Sequence, residues 1–292
     1  MQTLLLCGIA IFIFQSLLFL IALLKKNNGI ADIGWGVGFV IMSLFALRHN
    51  IIQWIFTYMS QGECNPDPAF ILLVSLVAVW AFRLSIYLLI RNWSKPEDWR
   101  YAKWRQDWGR NFFLRSYLQV FVLQGFFMLV IGSPILLSAF DARASISSYS
   151  LIQYLLILFG PIAWMVGFFF QAVGDTQLYR FKKNPANKGR IMRYGVWKYT
   201  RHPNYFGEAT MWWGIFLISC VSAHGAVGVL LRMIGPATIT FMLLRVSGVT
   251  MLESRYKGNK EYEDYQLNTS GFIPRRPRDS ETDLIPPKEI NR

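Results

Sequence analysis

Residues 199–217 read YTRHPNYFGEATMWWGIFL: two cations, a proline, an amide and a carboxylate at the threshold of an aromatic, apolar run. Proline has no N–H to donate and a φ suited to the first helical turn, so Pro203 predicts a helix that begins near Asn204. A helix start exposes unpaired N–H groups and a partial positive charge, and it suits an anion. Arg201 and His202 stand just before that end, and Asn204 and Glu208, four residues apart, share one face. A ligand with phosphates at one end and a carboxamide, hydroxyl or amine at the other fits this pattern. A basic cap at a helix start on the cytoplasmic side accounts for the RHP triplet equally well.

The apolar run has company. The chain has 292 residues, 53% hydrophobic, 16% aromatic and 16% charged, which is too apolar for a soluble domain with about 25% charged residues. The apolar residues form blocks of the length that crosses a hydrocarbon core, about 20 residues at about 1.5 Å each. Such blocks lie at Thr3–Leu24, Ile30–Leu47, Phe70–Ile90, Tyr117–Phe140, Leu151–Val173, Asn204–Ser222 and Gly225–Val249. The expected fold class is therefore an all-α integral membrane protein with seven transmembrane helices. The first block exceeds the 7–15 apolar residues of a signal-peptide core and has no Lys or Arg before it, so it is expected to remain as a span.

Lys and Arg crowd the first, third and fifth connections and the C-terminal tail, whereas the second, fourth and sixth connections hold little beyond Arg48 and Arg143. By the positive-inside rule the odd connections and the C-terminus are cytoplasmic and the N-terminus is outside. The net charge of +13 suits anionic headgroups at about 1 kcal/mol per cation. Nucleic acid is a poor partner, since the cations sit in short loops without a recognisable module. The third connection mixes Trp93, Trp99, Trp104 and Trp108 with cations and reads as an interfacial helix. Residues 1–274 form one membrane domain, and 275–292, polar and proline-broken, are expected to be disordered. Cys7, Cys64 and Cys220 show no metal-ligand spacing, so no metal is expected.

Charges at membrane depth are costly unless paired or wet, so Asp32, Arg83, Asp175, Glu208 and Arg245 are candidates either for function or for internal salt bridges. Ahead of the opening stretch runs QAVGDTQLYRFKKNPANKGR, where Asp175 suits a ribose or amide and Arg180, Lys182 and Arg190 suit phosphate. GxGxxG is absent, so any nucleotide is held by the bundle itself.

Together, GVWKYTRHPNYFGEATMWWGIFL, QAVGDTQLYRFKKNPANKGR and EYEDYQLNTSGFIPRRP resemble the C-terminal half of the steroid 5-alpha-reductase superfamily. NNGIADIGWGVGF, WAFRLSIYLLIRNW and PEDWRY extend the likeness toward its uncharacterised steroid-reductase-like membrane branch. The resemblance implies seven membrane helices with a nucleotide cavity open to the cytoplasm, substrate on the N-terminal half and cofactor on about 150–274. It implies NADPH contacts at Asn204, Glu208 and Asp175, with Arg83, Lys182 and Tyr199 at further family positions. Family members transfer hydride to a C=C bond conjugated to a carbonyl, while a tyrosine–glutamate pair polarises the oxygen. This chain departs there: Trp80 stands at the tyrosine position, and its indole donates a hydrogen bond but is no proton acid. Asp32 is the nearby carboxyl, nominated as a protonated acid or polarising donor.

Three functions remain open on the sequence. The first is an NADPH-dependent membrane reductase acting on a small hydrophobic lipid, sterol-like or isoprenoid substrate. The second is an S-adenosylmethionine-dependent membrane methyltransferase of the isoprenylcysteine carboxyl type, whose RHPxYxG, Glu and YxxY elements are matched by Glu253 and Tyr262–Tyr265. The third is a lipid-binding scaffold that has lost the acid. The expected location is a multi-pass one, in the plasma membrane of a bacterium or the endoplasmic reticulum of a eukaryote.

Overall fold

A computed structural model describes residues 2–61, 67–92, 95–141, 149–246 and 248–278. Cys64, Trp93, Arg143 and the tail beyond 278 lie outside the described residues. The described secondary structure is helical throughout: α1 (Gln2–Lys25), α2 (Ile30–Gln61), α3 (Pro68–Asn92), α4 (Trp99–Trp108), α5 (Phe112–Ser116), α6 (Leu123–Ile131), α7 (Ser133–Asp141), α8 (Leu151–Lys183), α9 (Pro203–Ser219), α10 (Gly225–Phe241), α11 (Val249–Ser254) and α12 (Lys260–Asn268). Six helical stretches are long and apolar enough to cross a membrane: Gln2–Lys25, Ile30–Ser60, Pro68–Asn92, Trp99–Ile131, Leu151–Lys183 and Gly225–Ser254. The described residues are therefore all-helical and make an integral, multi-pass membrane protein. The expected seventh, α9, is apolar but has 17 residues, short of the about 20 that span unaided.

Polar residues inside apolar blocks misplace several boundaries. The second block was expected to end at Leu47, before Arg48, His49 and Asn50, yet α2 runs on to Gln61. His49 Nδ1 meets Thr3 Oγ1 at 3.1 Å, and Asn50 Nδ2 donates to the Ala46 and Ala139 carbonyls at 3.2 and 3.1 Å. With these groups satisfied, the helix has no reason to stop. The expected block Tyr117–Phe140 is broken at Gly132, between α6 and α7. Its N-terminal part is continuous with the tryptophan-rich segment, which joins the fourth apolar stretch through α5 and a π-helical turn at Tyr117–Val122. The block expected at Gly225–Val249 ends as a helix at Phe241 and passes through a second π-helical turn, Met242–Val246.

The chain divides into two compact units. The first comprises 1–160 and 215–236, the second 161–214 and 237–292. In the first, α2 packs against α1, α3 and α7 around Phe39, Met42, Leu73, Met128, Ile131 and Ile135, all fully buried. Gly36 brings α2 onto α3, because a Cβ there would lie 2.5 Å from the Ala81 carbonyl oxygen. In the second, α8 and α9 approach backbone to backbone. A Cβ on Gly207 would sit 2.4 Å from the Gly167 oxygen, and one on Gly167 would sit 2.5 Å from the Gly207 oxygen.

Residues 275–278, expected within a disordered tail, are held. Arg275 N donates to the Tyr199 carbonyl at 2.9 Å, and Arg278 N to that of Asn268 at 3.2 Å.

Candidate functional site

The helix expected from Pro203 begins there, and the glycine contact fixes which face it shows to α8. Asn204 Nδ2 donates to Asp175 Oδ1 at 3.2 Å, and Gln171 Nε2 donates to Glu208 Oε2 at 3.2 Å. The partners on each helix are four residues apart and run in opposite order, as antiparallel helices require. Asp175 and Gln171 are buried, at 4% and 2% exposure, while Asn204 and Glu208 are half-buried. The outcome is a polar seam of two carboxylates and two amides between otherwise apolar helices. Gln171 was missed on the sequence. Its signal was a lone amide in FFFQAVGD, one turn before Asp175.

Below the seam the chain is tied to its own C-terminal segment. Trp197 Nε1 donates to the Gly174 carbonyl at 3.0 Å, and Thr200 Oγ1 to that of Phe272 at 2.8 Å. Arg201 N donates to the Ser270 carbonyl at 2.9 Å. Tyr199 is exposed, with the Lys198 ammonium 5.0 Å from its ring centroid. Lys182, at the end of α8, is exposed, as are Arg180, Lys183, Lys188 and Arg190 nearby.

Arg201 and His202 do not present themselves to an anion. Arg201 Nε donates to Glu253 Oε1 at 2.9 Å, and its Nη1 reaches the carbonyls of Gln266 and Thr269. His202, 1% exposed, places Nε2 3.0 Å from the same Glu253 oxygen and stacks on Tyr205 with centroids 5.4 Å apart. Gln266 Nε2 donates to Glu253 Oε2 at 2.9 Å, and the charge of this carboxylate acts on Tyr262. Burial, aided by the Glu253 charge, holds the Tyr262 phenol well above its ordinary pKa. Tyr265, buried beside it and donating to the Trp197 carbonyl, is raised too, by burial and then by the neighbouring Tyr262. One carboxylate thus gathers an arginine, a histidine and an amide from two other stretches of chain. Such multiple charge-assisted bonds are the strong kind.

Asp32, Trp80 and Arg83 lie in the first unit. Asp32, in the first turn of α2, accepts from Tyr101 Oη at 2.7 Å and from Arg100 Nη2 at 3.0 Å. Both bonds converge on the one carboxyl group, and the hydroxyl of the trio belongs to Tyr101. Asp98 caps α4, accepting from the Arg100 amide at 3.0 Å, and accepts from Arg100 Nε at 2.9 Å. The Arg100 charge and these bonds outweigh burial and lower its pKa. Trp80 is 2% exposed and packs edge-on against Phe39, with centroids 5.3 Å apart. Arg83 lies over the Tyr87 ring at 5.1 Å. A charge missed on the sequence, Arg232 of α10, is fully buried and donates to Asp141 Oδ2 at 2.7 Å. Its signal was an arginine inside GAVGVLLRMIGPA. Arg245 is exposed. Among the described residues no group of three His, Cys, Asp or Glu is arranged to hold a metal ion.

A family model described as "Protein of unknown function (DUF1295)" matches residues 18–269, so the chain belongs to that family. No curated protein and no solved structure matches it.

Proposed function

We propose that this DUF1295 protein is an NADPH-dependent membrane oxidoreductase that reduces an activated C=C bond of a lipid, sterol-like or isoprenoid substrate. The observation that carries the reading is the α8–α9 seam. Asp175, Asn204 and Glu208, the residues that the likeness to steroid 5-alpha-reductases marks as nucleotide contacts, line one seam of an otherwise apolar helix pair, Asn204 bonded to Asp175 and Glu208 bonded to Gln171. Amide and carboxylate groups at membrane depth are expensive, and these two pairs have the donors and acceptors that a carboxamide and ribose hydroxyls require. The exposed cations around Lys182 suit the phosphates. NADPH, when bound, supplies hydride to the carbon β to a carbonyl; the protein's part is to orient the partners, exclude water and deliver a proton. Tyr101, with its hydroxyl on Asp32, takes over from Asp32 as the candidate proton donor. Trp80 serves as packing for the substrate half.

In this reading α9 is the seventh span, the N-terminus is outside, and the nucleotide enters from the cytoplasmic side. Tyr199 stands at that mouth.

A second reading rests on a different observation. Of the residues shared with isoprenylcysteine carboxyl methyltransferases, Arg201 and His202 converge on the Glu253 carboxylate, whose charge also acts on Tyr262, and that class uses S-adenosylmethionine.

Identifying the nucleotide that copurifies with the detergent-solubilised protein separates the two. NADP(H) is expected; S-adenosylmethionine or its demethylated product in its place overturns the reductase.

A further inference from the structure

The carboxylate of Glu253 sits where three stretches meet: residues 201–202 ahead of α9, α11, and the segment running from α12 to Arg278. On Oε1 it receives Arg201 Nε and His202 Nε2, at 2.9 and 3.0 Å, and on Oε2 it receives Gln266 Nε2 at 2.9 Å. The same guanidinium also ties the Gln266 and Thr269 carbonyls. Two backbone bonds run alongside, from Arg201 N to the Ser270 carbonyl and from Arg275 N to the Tyr199 carbonyl, both 2.9 Å. The segment 268–278 is thereby strapped across 199–201, the residues that lead directly into Asn204 and Glu208. Arg201 and His202 therefore have little capacity left for a ligand.

We propose that Glu253 is a positioning residue. It clamps the C-terminal strap onto the start of α9 and so fixes the register and tilt of the face that carries Asn204 and Glu208. The proposal rests on the nucleotide reading of that face, which it deepens: the cytoplasmic C-terminal segment becomes part of the cofactor site without touching the cofactor. Positioning errors of about 1 Å are enough to disable such a face.

Charge, not volume, is what the clamp requires. A glutamine at 253 fills the same space, yet its NH2 group would confront the Gln266 donor or the Arg201 and His202 donors. Full-length wild type, Glu253→Gln and the milder Gln266→Leu, purified in detergent, are compared in two ways: amide hydrogen exchange at Arg201 and Arg275, and NADPH titration. The clamp predicts more than tenfold faster exchange at both amides and more than tenfold weaker NADPH binding in Glu253→Gln, with a smaller change of the same sign in Gln266→Leu. Unchanged exchange in Glu253→Gln overturns the clamp. Faster exchange with unchanged NADPH affinity overturns its positioning role. If wild type binds no NADPH, the nucleotide reading of the site fails, and the exchange data alone decide whether the clamp exists.

Discussion

Asp32, in the first turn of α2, and Glu253, in the last turn of α11, are both carboxylates paired with arginine, yet their surroundings differ. The Asp32–Arg100 pair leaves about a quarter of each side chain exposed, at 24% and 25%. Glu253 and its partners are drier: Arg201 at 12%, His202 at 2% and Glu253 at 18%. A wet ion pair contributes little, because water replaces either partner when the other is lost. A dry one is not easily dispensed with, because each partner left behind is a buried polar group without its bond. The first arrangement has room for proton chemistry, and the second suits a structural joint.

The largest expected effect is on the dry cluster. Glu253→Ala should lower stability by about 3–5 kcal/mol, read by denaturant unfolding in detergent; a loss near zero would put the cluster in the same class as the wet pair. Next comes the close approach beneath the seam. Gly207→Ala places a methyl group 2.4 Å from the Gly167 oxygen, and the strain should cost about 1–3 kcal/mol and weaken nucleotide binding with it. Asp32→Asn, at the wet pair, should cost about 1 kcal/mol or less, retain NADPH stabilisation and lose turnover. Retained turnover would remove the Asp32–Tyr101 pair from the chemistry. The smallest effect is expected of Trp80→Phe, which keeps an aromatic edge against Phe39 and should cost less than about 1.5 kcal/mol in stability. A loss of turnover with the fold intact would restore Trp80 to the site.

The same contrast explains what the sequence could show. Local chemistry was legible. Pro203 marked a helix start, and the spacing of Asn204 and Glu208 marked a shared face, because both depend only on the geometry of one helix. Glu253 was visible as a match to another enzyme class, but nothing within a few residues of it says that it lies 2.9 Å from Arg201; contacts across 52 positions of chain are set by tertiary packing. The same holds for Tyr101 and Asp32, 69 positions apart, and for Arg232 and Asp141, 91 apart. The end of α2 was misjudged for a related reason. His49 and Asn50 look like a stop signal until Thr3 and Ala139 are seen to bond them.

The central claim is that the Asn204–Glu208 face of α9 holds a nicotinamide nucleotide. The direct test is the thermal stabilisation of purified wild type and Glu208→Ala by NADPH, with S-adenosylmethionine in parallel. A ligand at a hundredfold excess over its Kd adds about 2.7 kcal/mol of stability. The account predicts that gain for wild type with NADPH alone and its loss in Glu208→Ala. Stabilisation by S-adenosylmethionine and not by NADPH, or an NADPH gain undiminished in Glu208→Ala, would contradict it.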